Sequence, residues 1–215
     1  MKKIILLGDS IRMGYDKYVK LALEGQAEVY FPKDNCRFTQ YVLRNTHAWV
    51  EESGFGTDTD LVHWNVGLWD VAQVLGDEPI TPIEVYEAYL HRICKRILQC
   101  CPKAKVVFAT STPIHQANYE SQRNRFWRSN ETIRRYNAVA VEVVKQYGFA
   151  VNDLYALMEG VPDDFFSDRT HYYTEKATER MTNRVLQVIE EQIGIRGKQL
   201  DYAGLFGPSS KDVGM

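Results

Sequence analysis

Short apolar runs alternate with longer stretches of helical spacing along most of the chain. An apolar run of about four to eight residues bounded by turn residues is typical of a buried strand, whereas apolar positions three or four apart indicate a helix. These patterns predict strands at residues 3–7, 27–31, 61–66, 105–109 and 149–154. They predict helices at residues 12–23, 38–50, 82–101, 130–147 and 174–193, with a short helical turn at 156–158.

Strands that alternate with helices predict βαβ units and therefore a parallel, right-handed sheet. The expected fold is α/β, a three-layer α/β/α sandwich built on a five-stranded parallel sheet. A chain of 215 residues, 45% of them hydrophobic, suits one domain with a substantial core. We assign that domain to residues 1–193. Residues 194–215 contain Gly, Ser, Pro and charged residues without a period, so we expect a surface arm that is in part disordered.

The first strand ends in the tripeptide Gly8-Asp9-Ser10. In an open α/β sheet the carboxyl ends of the strands form the ligand crevice, so Ser10 is a candidate nucleophile. The alternative is that Asp9 or Ser10 only caps the helix that follows, since Gly-Asp-Ser is a common turn sequence.

A second polar motif, Ser167-Asp168-Arg169-Thr170-His171, precedes the last predicted helix. An acid and a histidine three positions apart on a turn can face one point, so Asp168 can hold one ring nitrogen of His171 while the other faces a serine. A serine hydroxyl is a poor nucleophile near neutral pH and needs such a base. Together with Ser10, the pair predicts a complete set of groups for acyl transfer.

The pairing of Gly-Asp-Ser near the amino terminus with Asp-x-x-His near the carboxyl terminus resembles the SGNH (GDSL) family of esterases and acylhydrolases. The resemblance extends from residue 4 to about residue 193. It implies a flavodoxin-like sandwich and a catalytic triad of Ser10, His171 and Asp168. It also implies an oxyanion hole that takes a glycine amide from the second sequence block and an asparagine side chain from the third.

Both of those blocks depart from the family pattern. The third block is similar to Asn65-Val-Gly-Leu-Trp-Asp70, in which Gly67 and Asp70 match but Trp69 stands in place of the asparagine. We therefore predict that Asn65 supplies the side-chain donor, because a buried asparagine on a strand needs partners for its amide. The alternatives are that the Trp69 indole N–H is the donor, or that Asn65 only ties down the Gly67 loop.

The second block is similar to Asp34-Asn-Cys-Arg-Phe-Thr39, which contains no glycine. Any amide donor must therefore come from another residue, such as Cys36 or Arg37. We predict Ser10, Cys36 and Asn65 as the oxyanion donors. The substrate side is predicted to include Gly67, Trp69, Arg37 and Asp9, of which Asp9 is also expected to fix the turn before Ser10.

Composition restricts the partners that the chain can have. A formal net charge of −2 does not favour nucleic acid or an anionic membrane surface. The segment 110–128 has no clear period, and its cluster of Arg123, Arg125 and Arg128 among aromatic residues is interpreted as a solvated loop or lid. No stretch is long and apolar enough to span a bilayer, so we expect no membrane partner.

Cysteine and histidine usage points to a cytoplasmic protein without cofactors. The four cysteines, Cys36, Cys94, Cys100 and Cys101, occur without a targeting segment, so reduced thiols are expected. His47, His63, His91 and His115 have no metal-ligand spacing, and we predict no metal. His63, on a predicted strand, is expected to be a core histidine.

The resulting hypothesis is a serine esterase that removes an acyl group, expected to be short, from a carbohydrate or similar polar ester. A second hypothesis is a catalytically weak or inactive binding module that keeps the crevice but has an altered oxyanion hole. The sequence leaves both open. It does not give the oligomeric state.

Overall fold

A five-stranded parallel sheet forms the centre of the protein. The computed structural model describes residues 1–120 and 125–207. The strands are β1 (Lys2–Leu7), β2 (Ala27–Tyr30), β3 (Leu61–Trp64), β4 (Gln73–Val74), β5 (Lys105–Ala109), β6 (Phe126–Trp127) and β7 (Ala150–Asn152). Five of them pair in parallel in the order β2-β1-β3-β5-β7, while the short β4 and β6 pair antiparallel. The predicted five-stranded parallel sheet is confirmed.

Helices cover both faces of the sheet, which confirms the predicted three-layer α/β/α sandwich. They are α1 (Ser10–Met13), α2 (Asp16–Ala22), α3 (Thr39–Ser53), α4 (Ile83–Cys100), α5 (Gln116–Glu120), α6 (Asn130–Gln146), α7 (Leu154–Met158), α8 (Glu175–Ile193) and α9 (Tyr202–Phe206). The helix α4 packs between α3 and α6, and α2 packs against α8. Single 3₁₀ turns lie at Gly56–Asp58 and Asp163–Phe165.

The neighbouring strands β1 and β3 are buried along their apolar segments, as expected for a parallel sheet covered on both faces. Residues 4–7 of β1 and all four residues of β3 are buried. The register pairs Leu7 with Trp64, and one residue further along the backbone amide of Asn65 donates to the Leu7 carbonyl. The two strands therefore end side by side, which brings the Gly8 and Asn65 turns together.

The single helix predicted at residues 12–23 is wrong, because the structure has two helices there. They are separated at Gly14 and Tyr15. Tyr15 is fully buried and meets the His63 ring edge to face, and Arg12 forms a buried ion pair with Asp16 and donates to the Asp34 carbonyl. The contacts of Tyr15 with His63 and of Arg12 with Asp34, which helical spacing does not encode, favour the break.

Residues 194–207 of the C-terminal arm pack against α2 and α8. The Lys198 amide donates to the Ala22 carbonyl, and Tyr202 is buried beside Tyr18. The Phe206 ring stacks on Tyr18 at 5.7 Å. Residues 208–215 of this arm, which was expected to be in part disordered, lie outside the described part of the chain. Within the described ranges, no helix has the length and apolar character needed to cross a membrane.

His63 lies in the core at the middle of the sheet. Its exposed fraction is zero, and its Nε2 accepts from Asn152 Nδ2 at 3.1 Å. Burial lowers the pKa of His63 from 6.5 to about 4, so the imidazole is neutral in the native protein. The expectation of a core histidine is confirmed.

This shift predicts that the protein loses stability in acid through His63. As the pH falls from about 6.5 towards 4, the unfolded chain takes up a proton that the native imidazole does not. Linkage then removes about 2–3 kcal/mol of unfolding free energy at about pH 4.5 relative to neutral pH. Urea unfolding at the two pH values measures it, and His63→Gln should show a correspondingly smaller loss.

The matched control is His47→Gln, since the His47 side chain is 67% exposed. That variant should keep the wild-type difference between the two pH values. An equal loss of stability in wild type and His63→Gln would contradict the assignment of the acid sensitivity to His63.

Candidate active site

The turn after β1 holds Ser10 at the start of a helix. Asp9 caps α1, and its Oδ1 accepts from the Ile11 amide at 3.0 Å. A Cβ on Gly8 would lie 1.9 Å from Asn65 Oδ1 and 2.7 Å from Arg12 Cβ, so this position admits only glycine. Ser10 is the first residue of α1, and first-turn amides have no acceptor within their own helix. Asp9 therefore fulfils the capping alternative, while Ser10 is half-buried at the start of the same helix.

The loop before α8 brings an acid and a histidine to Ser10 from the opposite end of the chain. Asp168 Oδ2 lies 2.7 Å from His171 Nδ1, and His171 Nε2 lies 2.8 Å from Ser10 Oγ, across 161 positions of sequence. The other carboxylate oxygen of Asp168 accepts from the Thr170 and His171 amides at 2.7 and 2.9 Å. The three predicted triad residues thus form one continuous hydrogen-bonded chain.

The electrostatics of the loop fix the histidine tautomer. Partial burial acts to raise the pKa of Asp168, but the hydrogen bonds from His171 and from the two amides outweigh it and hold the pKa below its ordinary value. An ionised Asp168 can only accept, so Nδ1 of a neutral His171 carries the proton and Nε2 is left to accept from Ser10. This arrangement can deprotonate a serine hydroxyl.

A cavity of about 920 Å³ opens beside the three residues. Besides Ser10, Asp168 and His171, its walls include Leu68, Trp69, Tyr119, Phe126, Arg128 and Arg169. The segment 110–128 therefore forms part of the site wall, through α5 and β6. Within residues 1–120 and 125–207, no group of three or more His, Cys, Asp or Glu side chains could hold a metal ion.

Comparisons with known proteins identify the architecture. No protein-family model matches the chain, and no curated protein matches its sequence. Among solved structures, it is similar to a lipase/acylhydrolase from Enterococcus faecalis, at 21% identity and a TM-score of 0.68, over 93% of this chain and 100% of that one. The chain has the SGNH (GDSL) hydrolase fold.

Two further structures agree with the SGNH fold at lower identity. An acetyl xylan esterase, AlAXEase, aligns at 16% identity and a TM-score of 0.64, over 87% of this chain and 99% of that one. An aryl esterase of M. smegmatis aligns at 13% identity and a TM-score of 0.68, over 90% and 100% of the two chains. At these identities the likeness extends to the fold.

In the second block of this SGNH fold, the structure corrects the expectation for Cys36. Its amide donates to the Gly8 carbonyl at 3.1 Å, so it is not free for an oxyanion. Its sulfur accepts from the Gly8 amide at 3.3 Å. Burial raises the pKa of the thiol to about 12, which keeps it neutral. Cys36 therefore fastens the nucleophile turn.

Arg37, predicted on the substrate side, does not line the cavity that holds Ser10. It is a non-glycine residue with φ of 53°, its amide donates to Asn35 Oδ1, and its guanidinium pairs with Asp34 at 3.6 Å. These local contacts hold it on the surface beside Tyr41, whose ring centroid is 4.9 Å away.

In the third block, Gly67 and Asp70 have structural roles, whereas Trp69 lines the cavity. Gly67 has φ of 145°, and a Cβ there would lie 2.7 Å from Ser111 Oγ, so its role in the structure is to shape the loop. Asp70 is buried and accepts from the Thr39 hydroxyl at 2.6 Å, and burial raises its pKa to about 6. Trp69 lines the cavity as predicted, whereas Gly67 does not.

Asn65 lies beneath the nucleophile turn. It is 2% exposed, and its Nδ2 donates to Asp9 Oδ1 at 3.1 Å. Asp9 is fully buried under Ser10, and burial raises its pKa despite these hydrogen bonds. Asn65 Oδ1 and Asp9 Oδ2 have no partner among the described residues. Asp9 thus fixes the turn, and neither residue lines the cavity.

Tyr173 supports His171, a contact that the sequence analysis missed. The two rings stack with centroids 4.9 Å apart, and the Tyr173 hydroxyl donates to the Ser10 carbonyl at 2.6 Å. Burial raises the pKa of Tyr173 to about 12, so the phenol keeps its proton and remains a donor. Its position two residues after His171 is the only sequence signal that could have pointed to it.

Proposed function

We propose that the chain is a serine esterase that hydrolyses a short-chain acyl ester, such as an O-acetylated carbohydrate, through an acyl-enzyme. The observation that carries this proposal is the continuous contact from Asp168 through His171 to the Ser10 hydroxyl, at 2.7 and 2.8 Å. A nucleophile, a base and a group that orients the base are the three parts that the mechanism requires.

In the proposed reaction, His171 Nε2 takes the Ser10 proton as Oγ attacks the ester carbonyl, and the Asp168 carboxylate stabilises the imidazolium. His171 then gives the proton to the leaving alkoxide, which departs as the alcohol and leaves an acyl-enzyme. Water repeats the two steps: it loses a proton to His171, attacks the acyl carbonyl, and releases the acid and Ser10.

The substrate class rests on the character of the cavity and on the neighbours in structure. Arginine and tyrosine side chains in the wall favour a polar substrate over a long acyl chain. An acetyl xylan esterase shares the fold, which supports a small acyl group. The four free thiols are in keeping with the reducing cytoplasm.

For the oxyanion we propose the Ser10 amide together with the Asn65 side chain. Ser10 begins a helix, so its amide is available, and the helix N-terminus favours negative charge. Asn65 lies beneath the turn and does not line the cavity, but it gives only one N–H to Asp9 and has a second N–H, which we assign to the oxyanion. The alternative, a weak or inactive binding module, draws support from the Cys36 and Arg37 amides, which both have internal acceptors.

The first test is the loss of activity in triad variants. With 4-nitrophenyl acetate as substrate, Ser10→Ala and His171→Ala should each lower kcat by about 10⁴ or more, and the double variant should be little worse, because the residues act as a unit. Asp168→Asn should fold but lose much of the rate through the wrong His171 tautomer.

Asp164→Asn is the matched control for Asp168, since Asp164 is exposed and pairs only with Lys176 in the described residues. It should keep wild-type kcat. Turnover near that of wild type in any triad variant would refute the esterase mechanism. No turnover by folded wild-type protein would favour the binding module.

The second test compares the two candidate side-chain donors. Loss of one oxyanion donor costs about 10² to 10³ in kcat with little change in KM, which is the result we expect for Asn65→Ala. Trp69→Phe, at the cavity wall, should act mainly on KM. If Trp69→Phe lowers kcat and a thermally matched Asn65→Ala does not, the indole N–H is the donor and our assignment is wrong.

A further inference from the structure

Arg128 is a buried cation in the wall of the cavity. The residue is only 6% exposed, and its guanidinium packs over the Phe126 ring at 4.7 Å. Its Nε donates to the Leu68 carbonyl at 2.5 Å, and its Nη1 donates to the Tyr119 hydroxyl at 3.0 Å. The sequence expectation of a solvated loop is therefore wrong at Arg128. Arg123 lies outside the described residues.

The charge of Arg128 is not matched by a carboxylate in direct contact. In the described part of the chain its hydrogen bonds go to a carbonyl and a phenol, its Nη2 has no acceptor, and no Asp or Glu forms an ion pair with it. Its field reaches the buried Asp9, whose pKa it acts to lower against the larger effect of burial. A buried charge without a paired partner is costly, so a site that keeps one has a reason to do so.

A second arginine lies in the wall of the cavity. Arg169 also lines it, with its guanidinium 4.6 Å from the centre of the Tyr119 ring. Among the described residues of the wall, Asp168 is the one carboxylate, and it is engaged by His171. A guanidinium held in place by other contacts is well suited to bind a carboxylate, because its planar donors match the two oxygens.

We propose that the cavity selects esters that carry a carboxylate, with Arg128 as the group that binds it beside Ser10. The inference rests on the proposed esterase function and narrows its substrate class. The carboxylate could belong to the alcohol, as in an acylated hydroxy acid or uronic acid, or to the acyl group, as in a half-ester of a dicarboxylic acid. Both present the same anion to Arg128.

Two pairs of synthetic esters separate these sources. For the alcohol side, 4-acetoxybenzoate is compared with the neutral 4-acetoxybenzamide. For the acyl side, the mono-4-nitrophenyl ester of adipic acid is compared with its terminal amide. For each ester, kcat/KM is divided by the rate constant of its uncatalysed hydrolysis, which corrects for differences in intrinsic reactivity. The ratio of the two corrected values within a pair, anionic over neutral, then measures recognition of the carboxylate.

In wild type at least one pair should favour the anion by about tenfold or more, the scale of a hydrogen bond to a charged group. Arg128→Gln should bring that ratio close to one, and Arg128→Lys, which keeps the charge, should retain part of the preference. The control is Arg134→Gln, since Arg134 pairs with Tyr155 and Glu159 away from this cavity. It should keep the wild-type ratio.

Equal losses on the anionic and neutral esters in Arg128→Gln and Arg128→Lys would overturn the proposal, because Arg128 would then only hold Leu68 and Tyr119 in place. Thermal unfolding of each variant checks that the fold is kept. Hydrolysis of both members of each pair without preference in wild type would also overturn it, while leaving the esterase function intact.

Binding of ligands that resemble the products to an inactive variant tests anion recognition without requiring turnover. Calorimetric titration of Ser10→Ala should give tighter binding of 4-hydroxybenzoate, or of adipic acid monoamide, than of the corresponding neutral amide. The difference should vanish in Ser10→Ala/Arg128→Gln. If no ester is hydrolysed but this difference is found, the esterase proposal fails and anion recognition stands. If the carboxylate binds no better than the amide, anion recognition fails.

Discussion

The absence of a side chain at Gly8 is the constraint on which the site depends. Three segments meet there: Asn65 lies over the Gly8 backbone, the Cys36 amide and sulfur engage the Gly8 carbonyl and amide, and β1 itself passes into the Ser10 turn. A methyl group at this point would collide with Asn65 at 1.9 Å. The close contact fixes the direction in which the chain leaves the sheet, and thereby the position of the nucleophile.

The base reaches that nucleophile because α8 packs on the sheet. Its buried face carries Ala177, Met181, Val185, Val188 and Ile189. Burial of an aliphatic side chain of this size stabilises the fold by about 1.5–3 kcal/mol, whereas a typical hydrogen bond contributes about 1 kcal/mol net. The apolar face of the helix therefore positions the loop that carries Asp168 and His171, and the hydrogen bonds only refine the geometry.

Local patterns in the sequence predicted the five main strands, five of the helices and the residues of the hydrogen-bonded chain. They succeed because a buried strand or an amphipathic helix repeats its signal over many residues. The break at Gly14 and Tyr15, the internal acceptor of the Cys36 amide and the burial of Arg128 depend on residues distant in sequence. Single contacts of this kind leave no period to detect.

Arg128 connects three parts of the site: the loop that contains Leu68, the cavity wall that contains Tyr119, and the loop that carries His171. It donates to Leu68 and to Tyr119, whose hydroxyl lies 2.5 Å from that of Thr170. Thr170 in turn stands between Asp168 and His171. The wall of the cavity and the hydrogen-bonded chain are therefore held by one polar network, in which substrate recognition and positioning of the base can be coupled.

The most direct measurement of the central claim is covalent labelling of Ser10. A fluorophosphonate probe reacts with a serine whose hydroxyl is activated by a neighbouring base. Intact mass and peptide mapping should find one adduct, on Ser10, absent from Ser10→Ala and from heat-denatured protein, and formed far more slowly in His171→Ala. Folded protein that takes up no probe, or that carries it on another residue, would contradict the account.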